Sequence, residues 1–190
     1  MRRFARMFCA CASFVLTGVA APAVVAEPLP TPAARDAAVV PLGVLHHIAQ
    51  REIALGLLAQ VAAVRPQTMT FATALETDFR LLDRRILAIA GALNIDEDQL
   101  QQAYAEGHTT ALDRQADDLD HLSVLRGVDF DRQFWVTVAR DHRAASEMLA
   151  SPARTVPSVD TVVDEMARLI KRSIRNAAAA QAATNAPRPH

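Results

Sequence analysis

The stretch that decides the fold is residues 66–93, which read PQTMTFATALETDFRLLDRRILAIAGAL. Its large apolar residues recur at steps of three and four positions: Phe71, Leu75, Phe79, Leu82, Ile86, Ile89 and Leu93. That spacing places them on one face of an α-helix and leaves the charged residues on the other face. Because an apolar helix face must pack against another element, the stretch predicts a helix that belongs to a larger core.

The same periodicity occurs on both sides of this stretch, and no segment alternates as a strand does. The predicted elements are a helix over residues 41–64, the helix over 66–93, an irregular helical segment that Asn94 caps and that breaks near Gly107, a helix over 130–150 that Asp129 caps, and a last helix from Pro157. The sequence therefore predicts an all-α fold: a four-helix bundle with an additional irregular helical segment.

The first 26 residues have the composition of a secretory signal peptide. Arg2, Arg3 and Arg6 precede an uncharged apolar run over residues 7–25, and small residues lead to a cleavage position after Ala26. A membrane anchor is the alternative, since an apolar run of about 18 residues approaches the length of a bilayer span. The signal peptide is the preferred interpretation because of its small-residue end and the proline-rich sequence that follows.

The chain is predicted to have four parts: a signal peptide (1–26), a disordered leader (27–40), a helical bundle domain (41–176) and a disordered tail (177–190). As an alternative for the tail, its alanine-rich start could extend the last helix, which Pro187 and Pro189 would stop. No transmembrane span is expected once the signal is removed. The predicted location is therefore outside the cytoplasm, either periplasmic or secreted, with association with the outer membrane as an alternative.

Composition and motifs exclude several classes of function. Both cysteines, Cys9 and Cys11, lie in the signal, so the remaining chain has no thiol for a disulfide, a nucleophile or a zinc–thiolate site. Removing the signal leaves 17 basic against 21 acidic residues, a net charge of −4, which predicts binding to neither nucleic acid nor anionic lipid. The sequence also lacks Gly-x-Ser-x-Gly, a phosphate-binding glycine loop and a dinucleotide fingerprint. These observations favour a non-enzymatic protein.

Two polar residues occupy core positions of the predicted helices: Glu52 on the first helix and His142 on the fourth. Because a lone buried charge is costly, they are expected to pair with each other, to lean out to solvent, or to form a metal or proton-transfer site. A di-iron centre in a bundle uses two Glu-x-x-His motifs, and the chain has none. A structural pair is the preferred interpretation.

The remaining histidines offer weaker candidates. His46 and His47 are adjacent, so their rings point in different directions on a helix and at most one can join a core cluster. Asp118 and His121 have one-turn spacing, but the surrounding segment is so acidic that a solvated face is the preferred interpretation.

Four segments resemble a known protein family: residues 52–59 (EIALGLLA), Phe71-Ala72 ahead of Asp78, residues 127–134 (GVDFDRQF), and Asp141-His142. Together they resemble the secreted bacterial ferritin-like family DUF4142, a domain of unknown function also described as a predicted outer-membrane protein. The likeness covers about residues 42–175. It implies an exported ferritin-like four-helix bundle with no established enzymatic activity.

The resemblance also implies which polar core positions the chain keeps: Glu52, Asp78, Asp131 and His142. Phe79 stands where typical members have a histidine, and Lys171 and Arg172 lie where a further histidine tends to occur. The resemblance therefore implies a degenerate site that is less able to bind metal than its counterparts.

The predicted function is that of an exported, non-enzymatic helical domain with a binding or structural role in the cell envelope or its stress response. An envelope protein is the expected kind of partner, and no cofactor is required. The alternative is a ferritin-like metal-binding or peroxide-handling protein, in which Glu52, Asp78 and His142 would hold iron, manganese or zinc weakly.

Overall fold

The computed structural model describes residues 31–150 and 156–185, and this part of the chain forms five helices and no strand. The helices are α1 (Pro32–Ala62), α2 (Pro66–Ala92), α3 (Glu97–Val124), α4 (Gly127–Leu149) and α5 (Pro157–Asn185). The prediction of an all-α fold is confirmed. None of these helices combines the length and the apolar character that a membrane span needs.

Helix α1 begins nine residues earlier than predicted. The Thr31 hydroxyl accepts a hydrogen bond from the backbone N–H of Ala34, and Pro32 occupies the first turn, where its missing N–H costs nothing. Ala38, in the second turn, is fully buried. The prediction of a disordered leader over 27–40 is therefore wrong for residues 32–40. The predicted signal peptide, residues 1–26, lies outside the described residues.

Helix α5 extends further than predicted. It continues to Asn185, and Ala177 is buried against the core. The preferred prediction of a disordered tail over 177–190 is therefore wrong for residues 177–185, where the alternative, an extension of the last helix, is what the structure has. The physical reason is the run of alanines there, since alanine has the highest intrinsic helix propensity.

Two predicted helix caps are also wrong. Asp96, not Asn94, caps α3: its side chain accepts a hydrogen bond from the Gln99 N–H at 2.8 Å, and the Gln99 side chain accepts one from the Asp96 N–H at 3.1 Å. Helix α4 begins at Gly127 (φ +65°), so Asp129 lies in its first turn. The predicted break in α3 is confirmed, because His108 has non-helical dihedral angles.

The helices pack around α1, which contacts all four others. Helices α1, α2, α5 and α4 each contact the next in a closed ring, and α3 packs on α1 with a smaller contact to α4. The shared core contains large apolar side chains from every member of the ring: Leu45, Leu55, Phe79, Ile86, Phe134, Val138, Met166 and Ile170. The arrangement agrees with four packed helices plus one additional segment, and its ferritin-like identity remains a prediction.

Two glycines allow the close approach of helices to α1. A Cβ at position 56 would lie 2.8 Å from the carbonyl O of Ala72 on α2. A Cβ at position 43 would lie 2.6 Å from the carbonyl O of Leu100 on α3. Any larger residue at either position must therefore push the neighbouring helix away.

Candidate functional site

The predicted pairing of Glu52 and His142 is present in the core. His142 Nε2 lies 3.1 Å from Glu52 Oε2, and the two side chains are 0% and 2% exposed. Helix α1 supplies the carboxylate and α4 supplies the imidazole, each from the buried face of its helix. The Phe79 ring of α2 lies nearly parallel to the imidazole, with ring centroids 6.4 Å apart.

The pair leaves polar atoms without hydrogen bonds. Glu52 Oε2 and His142 Nε2 are close, but they are not aligned for a hydrogen bond, and neither has another protein partner. His142 Nδ1 is likewise buried and has none. Such atoms are uncommon in protein interiors, because burying a polar group without a hydrogen bond is costly. At 3.1 Å the two groups are close enough for strong charge attraction.

A second ion pair lies directly beside the first. Arg51 precedes Glu52 on α1, Asp141 precedes His142 on α4, and Arg51 Nε donates a hydrogen bond to Asp141 Oδ2 at 3.0 Å. Both of these side chains are buried, at 4% and 7% exposed. Two adjacent residues on one helix thus pair with two adjacent residues on the other, with alternating sign of charge.

The electrostatics of the two pairs are coupled at His142. Burial alone lowers the pKa of His142, but charge attraction by Glu52, the direct polar contact of the two side chains and, to a smaller extent, charge attraction by Asp141 together outweigh burial. The pKa of His142 consequently lies above its ordinary value of 6.5. The protonated imidazole is therefore the favoured partner of the Glu52 carboxylate.

Helix α3 is tied to this double pair through polar contacts. Arg51 Nη1 donates to the backbone carbonyl of Gln115 at 2.6 Å, and Arg140 donates to Asp141 Oδ1 at 3.2 Å. Arg140 also forms a bidentate contact with Asp118 of α3, in which Nη1 and Nη2 donate to the two carboxylate oxygens. Asp118 is thus the partner of an arginine, while His121 is exposed. The network joins α1, α3 and α4.

A separate polar cluster lies nearer the start of α1. His46 is buried, and its Nδ1 lies 2.7 Å from Asp83 Oδ1 of α2. The second oxygen of Asp83 accepts a hydrogen bond from Gln50 at 2.7 Å, and His46 Nε2 lies 3.5 Å from Glu97 Oε1 of α3. His46 thus lies between carboxylates of two helices, which satisfies a buried imidazole without a metal.

His47 points elsewhere, as the sequence predicted for adjacent histidines. Its ring stacks on Tyr104 with centroids 3.8 Å apart, and Tyr104 stacks in turn on His108 at 4.5 Å. Burial is the main cause of a lowered pKa for His47, and burial raises the pKa of Tyr104. His46, His47 and Tyr104 line a cleft of about 420 Å³ between α1 and α3.

The third predicted ligand, Asp78, is not with the pair. It lies at the surface between α2 and α5, where Arg172 Nη2 donates to its Oδ2 at 2.5 Å. The fourth position implied by the resemblance, Asp131, is fully buried near the start of α4. Its Oδ2 accepts a hydrogen bond from the Arg65 backbone N–H at 3.2 Å, whereas its Oδ1 has no partner. The structure thus brings together Glu52 and His142 alone.

The described ranges, 31–150 and 156–185, contain no group of three or more histidine, cysteine, aspartate or glutamate side chains placed to hold a metal ion. The core pair offers two ligand atoms, and the place beside it is filled by the Phe79 ring. A phenyl ring packs and binds no metal. The arrangement can hold two helices together through charge, and it can store a proton on His142.

Sequence reasoning missed Arg51, Asp141 and Asp83. Arg51 and Asp141 directly neighbour the two predicted residues, and such adjacency predicts a second pair only once the pairing of α1 with α4 is known. Asp83 directly follows Leu82, which belongs to the apolar stripe of α2. A carboxylate beside that stripe, together with the adjacent pair His46-His47, was the available signal.

Fold and site together define an all-α protein with a double ion pair, Arg51–Asp141 and Glu52–His142, buried between two helices of its core. The chain belongs to the family described as "Domain of unknown function (DUF4142)", whose model matches residues 23–184. The predicted family is thus confirmed, while its ferritin-like and secreted character remain predictions. Neither the curated proteins nor the solved structures include a significant match to the chain.

Proposed function

We propose that this protein is an exported, non-enzymatic helical domain with a binding or structural role in the cell envelope or its stress response. The observation that carries the proposal is the closure of its core site: the side chains of Glu52 and His142 are at most 2% exposed. The described clefts are lined by other residues. Within the part of the chain that the structure describes, neither side chain lines any of these four clefts, which supports a pair that is closed to a substrate unless the helices open locally.

In this proposal the double ion pair has a structural role. Arg51, Glu52, Asp141 and His142 fix the register of α1 against α4, because each charge finds its opposite only at one relative position of the two helices. Export is supported by the composition of residues 1–26 alone, with its basic start, apolar run and small-residue end.

The test is to express the full chain in a bacterium, determine the N-terminus of the processed protein, and cross-link it in the envelope fraction. A mature chain that begins at Glu27 and a cross-linked partner recovered equally with wild type and with His142→Ala would support the proposal. A turnover of any substrate that His142→Ala abolishes and the neighbouring truncation Val138→Ala retains would contradict it.

A second candidate function is weak metal binding or peroxide handling at the same pair. The specific observation that favours it is the set of buried atoms without hydrogen-bond partners: Glu52 Oε2, His142 Nδ1 and His142 Nε2. Carboxylate oxygens and imidazole nitrogens bind iron, manganese and zinc. Two side chains are fewer ligands than protein metal sites usually provide, so a further ligand would have to come from rearrangement or from water.

Elemental analysis separates the two candidates. The protein should be purified without a histidine tag from metal-replete medium, together with His142→Ala and Val138→Ala. We expect no stoichiometric iron, manganese or zinc in any of the three. Stoichiometric metal in the wild type and in Val138→Ala that is lost in His142→Ala would establish the second candidate and make Glu52 the next residue to change.

A further inference from the structure

A cleft of about 540 Å³ lies on the surface between α2 and α5, away from the core pair. Five basic side chains line it: Arg85, Arg168, Lys171, Arg172 and Arg175. Only two carboxylates, Asp78 and Glu165, line it with them. The cleft therefore carries an excess of three positive charges, although the chain without residues 1–26 has a net charge of −4.

The two carboxylates are already occupied. Asp78 pairs with Arg172, and Glu165 pairs with Arg85. Arg168, Lys171 and Arg175 form no ion pair within the part of the chain that the structure describes. Their positions, three and four residues apart on α5, place the three cations along one face of the helix. The local charge is therefore available to a ligand.

The remaining wall of the cleft is apolar, formed by Leu81, Leu82 and Leu169. Leu81 is 53% exposed, so its side chain is accessible from the cleft. Its neighbours in the groove are the long aliphatic stems of lysine and arginine, which can also contact an apolar ligand. The cleft thus combines unpaired cations with an apolar wall. Its volume falls in the range of small-molecule sites, roughly 300–1,000 Å³.

We infer that this cleft binds a phosphate-bearing amphiphile, and specifically the headgroup and the adjoining acyl region of an anionic phospholipid. Arginine guanidinium groups match the geometry of phosphate oxygens, and a lysine adds a mobile point charge. The leucine wall accounts for the apolar part of such a ligand, which a free phosphate lacks. The choice of a lipid as the source of the phosphate rests on the envelope role proposed above, whereas the free cations do not depend on it.

This inference differs from the sequence-based expectation that anionic lipid would not bind. That expectation used the net charge of the whole chain. The structure places five basic side chains and only two carboxylates along the cleft, and four of the five cations lie on one face of α5. Binding at a local patch depends on nearby charges, because exposed charges more than a Debye length of about 8–10 Å away are largely screened.

The test is co-sedimentation of the protein, purified in its exported form, with two kinds of vesicle: phosphatidylcholine alone, and phosphatidylcholine mixed with an equal amount of phosphatidylglycerol. The cleft variant is Arg168→Gln/Lys171→Gln/Arg175→Gln. The matched control is Arg84→Gln/Arg132→Gln/Arg143→Gln, which removes the same charge from exposed positions outside the cleft. Thermal melts of both variants check that the fold is kept.

We expect the wild type and the control to bind the phosphatidylglycerol vesicles, to bind them less tightly as the salt concentration rises, and not to bind the neutral vesicles. The cleft variant should lose roughly tenfold or more in affinity, since each basic residue near an anionic surface contributes appreciably. Equal losses of vesicle affinity in the two variants would overturn the inference, because attraction to the anionic vesicles would then depend on the total charge of the protein and not on the cleft.

A second arm separates lipid from other anions, by competition with glycerol 3-phosphate and with an acidic peptide that lacks phosphate. Partial competition by glycerol 3-phosphate supports headgroup recognition. Binding of glycerol 3-phosphate without vesicle binding would overturn the lipid assignment, and binding of the acidic peptide alone would replace it with a protein partner. Failure of all vesicle binding would overturn the inference and leave the proposed envelope role to its own cross-linking test.

Discussion

Glu52 and His142 face each other between α1 and α4, with His142 Nε2 3.1 Å from Glu52 Oε2. Removing one of them strands the other in the core, where an unpaired charge is strongly unfavourable. We expect Glu52→Ala and His142→Ala each to lower the free energy of unfolding by about 3 kcal/mol. Chemical denaturation of the two single variants measures this loss.

The double variant Glu52→Ala/His142→Ala completes the cycle. It should lose less than the sum of the single losses, because neither charge is then left without its partner. Additive losses would show that the two side chains do not interact. Val138→Ala combined with Glu52→Ala serves as the control pair, and its losses should add more closely.

The raised pKa of His142 gives the stability a definite pH dependence. A group whose pKa is higher in the folded than in the unfolded state contributes its full stabilisation below the unfolded pKa, and that stabilisation disappears as pH rises through the folded pKa. We therefore expect His142→Ala to lose more unfolding free energy, relative to wild type, at about pH 5.5 than at about pH 9. Denaturation curves at the two pH values measure it.

The control for this pH dependence is Val138→Ala, which truncates a buried neighbour on the same helix without removing a titratable group. Its loss of stability should be the same at both pH values. If the loss of unfolding free energy in His142→Ala is also the same at both pH values, the pKa of His142 does not differ between the folded and unfolded states. That result would contradict the ion pair with Glu52.

Phe79 fills the place beside the pair that a third ligand would occupy. We expect Phe79→His to give the protein a metal site with Glu52 and His142, because two imidazoles and a carboxylate form a common ligand set for zinc and iron. Titration with zinc or iron(II), followed by elemental analysis, measures uptake. Phe79→Leu, which fills similar space without a ligand atom, should take up no more metal than wild type.

An equal uptake in Phe79→His and Phe79→Leu would contradict the placement of residue 79 beside the pair. Loss of the new site in Phe79→His/His142→Ala would confirm that the introduced imidazole and His142 share the metal.

At this scale the sequence predicted part of the site. Glu52 and His142 could be identified because each interrupts an apolar stripe, and a buried charge demands a partner. The sequence could not show that Asp78 lies away from Glu52 and His142, because the position of Asp78 relative to the pair depends on how α2 is rotated against α5. Arg51 and Asp141 needed the same three-dimensional information.

At the scale of single helices, the contact between α1 and α2 depends on the missing side chain at Gly56. A Cβ there would meet both the Ala72 carbonyl O and the Glu76 Cβ at 2.8 Å. We expect Gly56→Ala to destabilise the protein by roughly 1–3 kcal/mol, because overpacking forces backbone movement. Thermal or chemical unfolding measures the loss.

Gly91 is the matched control for that change. It also lies within a helix, but a Cβ there has no atom within 4 Å. Gly91→Ala should stabilise the protein by up to about 1 kcal/mol, because alanine favours the helical state. Equal effects of the two substitutions would show that α1 and α2 are not in close contact at residue 56.

The helices themselves could largely be predicted from the sequence, and their ends could not. The apolar stripe of α2 predicted that helix and half of its eight buried residues, namely Leu75, Phe79, Leu82 and Ile86. The start of α1 at Pro32 was missed because a proline-rich stretch resembles a leader until the cap at Thr31 is seen. The true cap of α3, Asp96, was missed because Asn94 and Glu97 also fit a capping box.

At the scale of the whole molecule, α3 differs from the other described helices in how it is attached. It lies outside the ring, packs mainly on α1, and is interrupted at His108. Its second half is attached by the polar contacts of Gln115 and Asp118 and by the apolar contacts of Leu119 and Leu122 with the core. We expect the backbone amides of residues 114–124 to exchange with solvent faster than those in the buried centres of α1 and α4.

Hydrogen exchange followed by mass spectrometry measures this difference. Arg140→Gln, which removes the contact to Asp118, should speed exchange in residues 114–124 and leave the centre of α2 unchanged. Arg132→Gln removes an exposed arginine from the same helix and is the control. Uniform exchange across the five helices would contradict a separate opening of α3.

The position of α1 has a consequence for how this sequence can vary. Of its 31 residues, 14 are buried, and they face four different helices. A substitution on almost any side of α1 therefore disturbs some interface, whereas the outer faces of the other helices can change freely. Mutational tolerance should accordingly be lowest along α1, so that variants selected for retained folding accumulate changes in α3 and α5 while α1 stays nearly constant.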